Sequence, residues 1–345
     1  MSKDKQNTKR KLKLITKVLI ALDIGALLCL FIAYGPFVKL QNLFVTTSME
    51  TMTHKYLART IYSEEKIVSV LKNNRIFEVE GNTDIDDIKI GDIKETDTYS
   101  SIYEEQILKK DIGNDLYKVI PIEGNGYKGN IVAIYDPSRV KLVQSPYISN
   151  GGQLLDQMVR TFDAEVAINA GGFGLSGKAQ KPIGPLIMDG KLVSNYRISN
   201  WGDGIIGFTQ DNVLVLTKDS PLEAIEKYNL VDGVNFGPFL IVNGEASKFQ
   251  GNGGYGLASR TAIAQRKDGI ILFVVIDGRR PGHSLGVDMV ELTNLLLKYG
   301  AYNASNLDGG GSSTLYANDK ILSVPGGIGY SGNRYLPNAW IVKWF

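Results

Sequence analysis

The sequence predicts a mixed α/β protein in which an N-terminal transmembrane helix and a stalk carry one large mixed-sheet domain. Three observations predict it. An apolar run, residues 18–38, follows a basic stretch. From Leu116 onward, short apolar runs alternate with Gly, Asp-Gly and Asn-Gly turns. Within residues 270–307 an apolar strand, an amphipathic helix and a second strand succeed one another, which is a βαβ pattern.

The chain has 345 residues, 43% apolar and 21% charged, enough for a large core and too apolar for disorder throughout. Its 38 glycines exceed the roughly 7% of average usage, as many tight turns in a strand-rich protein would require. Residues 1–17 carry Lys3, Lys5, Lys9, Arg10, Lys11, Lys13 and Lys17 against Asp4 alone. The net charge of the whole is only +2, so the rest of the chain is acidic. Bulk electrostatics therefore exclude a nucleic-acid partner. Cys29 is the only cysteine, which excludes an intramolecular disulfide and a cysteine-based zinc site. Two histidines, His54 and His283, exclude a multi-histidine metal site within one chain.

Residues 18–38 carry one charge, Asp23, and as a helix would span roughly 30 Å, the hydrocarbon thickness of a bilayer. The positive flank predicts a cytoplasmic basic tail (1–17), a single-pass membrane anchor (18–38) and an extracellular remainder. No small-x-small cleavage site follows the run, so an uncleaved anchor is expected. Residues 39–115 read as a stalk with one helix, from Met49 to about Leu71, stopped by Asn73-Asn74. An acidic stretch follows it, including Asp84, Asp86, Asp87, Asp92, Glu95 and Asp97. His54 falls in this stalk. The main domain spans 116–345.

Inside that domain, Asp189-Gly190 and Asn243-Gly244 mark hairpins, since both dipeptides accept the positive φ of a two-residue turn. Residues 152–162 and 287–299 have helical apolar spacing, and Gly300 stands where a helix cap belongs. Flanking the second helix, the strands 270–276 and 303–307 should run parallel, as a βαβ unit requires. Asp277 follows the first and Asp308 the second, so both carboxylates leave the same sheet edge, where α/β folds place their ligands. Gly309, Gly310 and Gly311 offer unshielded backbone N–H groups for an anion, and Ser312 adds a hydroxyl. Asn169, Gly171 and Gly172 repeat the polar-plus-glycine pattern after the strand 164–168. Arg260 opens another strand, and His283 lies in a loop above the sheet.

Four segments occur in order: Asn169-Ala170-Gly171-Gly172-Phe173, Ser259-Arg260-Thr261-Ala262, Ile276-Asp277-Gly278-Arg279 and Asn306-Leu307-Asp308-Gly309-Gly310-Gly311-Ser312-Ser313-Thr314. Together they resemble the phosphodiester glycosidase domain family over about residues 116–345. The resemblance implies hydrolysis of the bond between a sugar's anomeric carbon and a phosphodiester. It also implies a mixed α/β domain and exported relatives associated with exopolysaccharide. One departure is the segment Arg280–Asp288, where a Gly-Met-Thr-Leu-like helix entry is expected; it bears on specificity more than on chemistry.

A phosphate leaving group needs anion stabilisation more than protonation, and Arg supplies a bidentate fork for it. Arg260 and Arg279 are therefore expected on the phosphate, with the Gly309–Gly311 amides assisting. Asp277 and Asp308 are the expected base or nucleophile and the group steadying the sugar cation. Asn169 is expected to orient a sugar hydroxyl, and Gly171, Gly172, Ser312 and His283 to contact substrate. No cofactor is expected to be required. Were a metal to bridge carboxylate and phosphate, oxygen ligands would select calcium or magnesium. The expected partners are a phosphorylated glycan or sugar-1-phosphodiester and, through 18–38, the membrane. A non-catalytic phosphoglycan-binding protein or an envelope-polysaccharide scaffold would use the same residues without turnover.

Overall fold

The computed structural model describes residues 2–51, 54–91, 98–197, 204–324 and 334–344. The chain forms two compact units, Met1–Asn74 and Arg75–Phe345.

In the first unit, helix α1 (Ser2–Tyr34) contains residues 18–34 of the apolar run; the helix expected to reach residue 38 stops at Gly35-Pro36, where proline cannot continue it, and Val38 opens the next helix. The α1 segment Lys13–Tyr34 has a mean hydropathy of 2.3 over its most apolar stretch, and none of that stretch is buried against protein. By length and composition it is long and apolar enough to cross a bilayer. The single helix expected from Met49 to Leu71 is instead a series: α2 (Val38–Glu50), α3 (Lys55–Ile61) and α4 (Glu64–Asn73). Ser63 explains the last break. Its side chain accepts the Lys66 N–H at 3.3 Å, and Glu64 and Glu65 sit in the first turn, so capping outweighs continuous apolar spacing. Val45, Ala58, Tyr62, Ile67 and Val70 form the small core of this unit.

A stalk reaching residue 115 is not what the structure shows. From Arg75 the chain builds into the larger unit. Arg75–Phe77 pairs antiparallel with Lys248–Gln250. Thr83 exchanges hydrogen bonds with Leu216, and helix α5 (Ile102–Leu108) buries Ile107 completely. The anchors are few and separated by acidic surface, which is why composition suggested a spacer. Asp92, Glu95 and Asp97 lie outside the described residues. A protein beginning at Leu116 is therefore expected to melt several degrees below one beginning at Arg75. Loss of Ile107 alone uncovers a full aliphatic side chain, about 2 kcal/mol or more. Differential scanning fluorimetry of the two chains checks this; equal melting temperatures would contradict it.

The larger unit is layered around a seven-stranded sheet. Its order is Glu245–Ala246, Phe239–Val242, Ala301–Leu307, Arg260–Arg266, Ile271–Ile276, Tyr127–Ile134, Tyr117–Gly124. Ile271, Phe273 and Val275 point into a core shared with Ile168 and Trp340 of one five-stranded sheet and Leu214 and Val234 of another. Leu272, Val274 and Ile276 point the opposite way. This alternation buries the strand on both faces. Helix α6 (Leu155–Phe162) covers the strand Val166–Asn169, and helix α7 (Pro221–Tyr228) packs on Ile187, Ile205 and Val215. Helix α8 (Met289–Lys298) contributes Met289, Leu292, Leu295 and Leu296 to the second face of the large sheet.

The hairpin at Asp189-Gly190 forms as expected, with φ of 50° and 71° and Met188 opposite Lys191. The parallel pair forms too, with one addition. Arg260–Arg266 lies between Ile271–Ile276 and Ala301–Leu307 and is antiparallel to both. Those two strands are thus parallel, about 10 Å apart, and their carboxyl ends share an edge with the start of the middle strand. Arg260 pairs with Ile276 and Thr261 with Leu307. Asp277, Arg260 and Asp308 are brought to one edge by register alone.

Candidate active site

Asp277 is buried, and both its carboxylate oxygens are engaged. Oδ1 accepts the Val324 N–H at 2.8 Å, and Oδ2 lies 2.7 Å from Nε2 of His283. Its backbone is held as firmly: the N–H donates to the Lys128 carbonyl at 2.9 Å, and its carbonyl accepts from Ser284 Oγ at 3.0 Å. The turn Arg280–Ser284, closed by the His283 N–H on the Arg280 carbonyl, folds the histidine back over the strand end. Both oxygens being taken, Asp277 is placed differently from a free base or nucleophile.

Asp308 lies deep among protein atoms yet keeps part of its surface accessible. Burial pushes its carboxyl up to about 6 from the usual 3.8. The Ser312 hydroxyl, the charge of Arg334 and the Gly309 N–H pull the other way but do not prevail. Among the acids at this edge, this carboxyl is the one that desolvation shifts most.

Asn169 is 1% exposed and is a bracket. Its Nδ2 donates to the Asp308 carbonyl at 2.6 Å, while its Oδ1 accepts from Thr261 Oγ1 at 2.8 Å and from the Thr314 N–H at 3.1 Å. It ties three segments together and holds Asp308, which differs from the expected contact with a sugar hydroxyl. Arg260 also differs from expectation. It is 4% exposed, and its guanidinium donates to the carbonyls of Tyr255 and Gly256, both at 2.8 Å, and of Val287 at 3.2 Å. Its Nε and one terminal nitrogen thus satisfy backbone carbonyls, as a strand-edge arginine turned inward does, while its other terminal nitrogen lies beside Gly309.

The glycines split likewise. Gly310, at φ +62°, donates to the Ser259 carbonyl at 3.1 Å, and Gly309 turns its N–H to the Asp308 carboxyl. Two of the three amides expected for phosphate are thus used within the protein, by Ser259 and by Asp308, and Gly311 is the exception. Ser312 is fully buried and bridges Asp308 to Arg334. The Gly171 N–H donates to Asn338 Oδ1 at 3.1 Å, and the Gly172 carbonyl accepts from Ile183, so this pair braces the neighbouring sheet.

Arg279 was expected on the phosphate. It is half-buried, burial alone lowers its pKa, and no described residue hydrogen-bonds or ion-pairs with its guanidinium. Sequence reasoning missed Arg334. Its guanidinium stacks 4.6 Å from the Phe173 ring centre, reaches Ser312 Oγ at 3.4 Å and acts on Asp308 through its charge. It stands alone in a glycine-rich stretch after the last motif, so no local pattern marks it.

Among the described residues, no three His, Cys, Asp or Glu side chains cluster to hold a metal. Asp277 and Asp308 are both engaged by protein donors, and two such carboxylates are a poor match to the six or more oxygens calcium takes. A surface depression of about 530 Å³ lined by Tyr147, Asn150, Gln153, Gln157 and Arg160 contains none of the site residues.

Residues 162–343 match the family model of the phosphodiester glycosidases. The mouse N-acetylglucosamine-1-phosphodiester alpha-N-acetylglucosaminidase is 25% identical over 227 residues, 59% of this chain and 42% of the mouse protein. Its human counterpart is 29% identical over 191 residues, 50% of this chain and 35% of the human one. The chain therefore spans well under half the length of these curated relatives. The catalytic domain of the zebrafish enzyme, solved in a form auto-inhibited by its pro-peptide, superposes with a TM-score of 0.55. It is 23% identical and covers 68% of this chain and 86% of that one, a likeness of fold. The matched segment covers more than half of the sequence and takes in Asn169, Asp277, His283, Asp308 and Arg334 alike: this chain belongs to the phosphodiester glycosidase family.

Proposed function

We propose that this protein is a membrane-anchored extracytoplasmic hydrolase that cleaves the bond between a sugar's anomeric carbon and a phosphodiester in a cell-surface glycan or exopolysaccharide. The observation that carries the proposal is Asp308, poised at about 6 at the same sheet edge as a desolvated Arg279 that has no partner among the described residues, with Arg334 beside it. Cleavage at the anomeric carbon develops positive charge on the sugar and negative charge on the departing phosphate. Ionised Asp308 steadies the first, and Arg279 and Arg334 the second. The relatives are named for the same bond class, with N-acetylglucosamine as the sugar. Helix α1, with its basic residues on the N-terminal side, supports a cytoplasmic N-terminus and a domain outside the membrane.

The test is the full chain in detergent with a panel of sugar-1-phosphodiesters in ¹⁸O-water, read by mass spectrometry. The expected product is a reducing sugar labelled at its anomeric oxygen beside an unlabelled phosphomonoester, with turnover surviving chelation. Label in the phosphate would mean attack on phosphorus and overturn the proposal. Binding of the glycan without release would assign the non-catalytic phosphoglycan-binding role instead.

A further inference from the structure

We propose that His283 takes the proton from the attacking water, and that Asp277 acts only through it, as a positioning residue. This rests on the glycosidase reading above. A loop histidine of no consequence would be free to turn. His283 is not, because Nε2 sits 2.7 Å from a carboxylate that is itself immobilised. Four further bonds hold Asp277 and the turn: Val324 N–H to Oδ1, Asp277 N–H to the Lys128 carbonyl, Ser284 Oγ to the Asp277 carbonyl, and Leu285 N–H to the Gly126 carbonyl. The side chains are 6% exposed for Asp277 and 37% for His283, so the anchor is inside and the ring faces outward.

The pairing sets the chemistry. The carboxylate accepts the proton on Nε2, so the neutral ring carries its lone pair on Nδ1. No described residue bonds to Nδ1. The arrangement suits a general base whose partner orients it and stabilises the imidazolium that forms. In the step, the water oxygen bonds to the anomeric carbon as the bond from that carbon to the phosphate oxygen breaks. The electron pair leaves with the phosphate, and the water proton passes to Nδ1 while Nε2–H stays on Asp277. Asp308, on the parallel strand, is left to face the sugar cation.

The full chain in detergent is assayed on a sugar-1-phosphodiester that it hydrolyses. His283→Ala is expected to lower kcat by about 10²–10⁴-fold with KM changed only a few-fold, and added imidazole to restore part of the loss. Asp277→Asn is expected to lower kcat as well, and the double variant to be no worse than His283→Ala, because Asp277 works through the ring. Wild-type kcat in His283→Ala, or a further loss on adding Asp277→Asn to it, overturns the assignment. Asp277 also braces Val324, so Asp277→Asn carries a risk of misfolding. ¹⁵N spectra of the wild-type imidazoles give a second readout that needs no turnover. With only two histidines in the chain, His283 is assigned by comparison with a His54→Gln variant. Protonated Nε2 with unprotonated Nδ1 supports the pairing, and the opposite tautomer sinks it. A wild-type chain inert on every phosphodiester refutes the hydrolase itself; an active wild type with an unimpaired His283→Ala refutes only the histidine's role.

Discussion

Asp308→Asn is expected to abolish turnover, by about 10³-fold or more, while raising the melting temperature at pH 7. Both effects have one cause. The folded protein holds this carboxyl out of water, so its pKa is about 6 against 3.8 for the unfolded chain. Below pH 3.8 both states are protonated and the wild type suffers no penalty. Between 3.8 and about 6 only the unfolded chain ionises, and stability falls as pH rises. Above about 6 the penalty is constant, on the order of 3 kcal/mol at most. Asparagine never ionises, so the variant's advantage should be absent at pH 3.5, grow to pH 6 and level off. Lost acceptor bonds from Ser312 and Gly309 subtract from it. Wild-type activity should rise through the same pH, since the carboxylate must be charged to steady a sugar cation. Melting curves from pH 3.5 to 8 with kcat at each pH check both halves. Retained turnover, or a stability gain that does not vary with pH, would contradict the assignment.

Arg279→Gln is the second large effect. A guanidinium drawn from water with no counter-charge among the described residues is costly unless a ligand supplies one. The expected result is a fall in kcat/KM of about 10²-fold or more, because the charge it meets grows as the phosphate departs. Inorganic phosphate should raise the melting temperature of the wild type but not of Arg279→Gln, as linkage requires. Arg260→Gln makes the contrast. It removes hydrogen bonds to Tyr255, Gly256 and Val287 and should lower stability first. Equal phosphate stabilisation of wild type and Arg279→Gln would remove Arg279 from the substrate site.

The strands and turns of the main domain were legible because their signals are local. Asp189-Gly190 needs only a turn of positive φ, and Ile270–Ile276 only an unbroken apolar run. The site was legible in part. Asp277 and Asp308 were placed at one edge from strand–helix–strand order, and that placement survives the strand between them. The spacer expected for 75–115 failed because isolated buried residues such as Ile107 leave no periodic trace.

The sequence by itself determined the apolar helix, the two carboxylates at a shared edge and the glycine loops around them. Each follows from periodicity or from neighbours in the chain. Only the tertiary structure decided which polar groups are engaged by other residues. It turned Arg260 and Asn169 inward, set Asp277 against His283, left Arg279 without a partner among the described residues and brought Arg334 to Ser312. A side chain's role depends on what desolvates it and what bonds it. Partners that meet across strands or loops are chosen by register and burial, which no local pattern encodes.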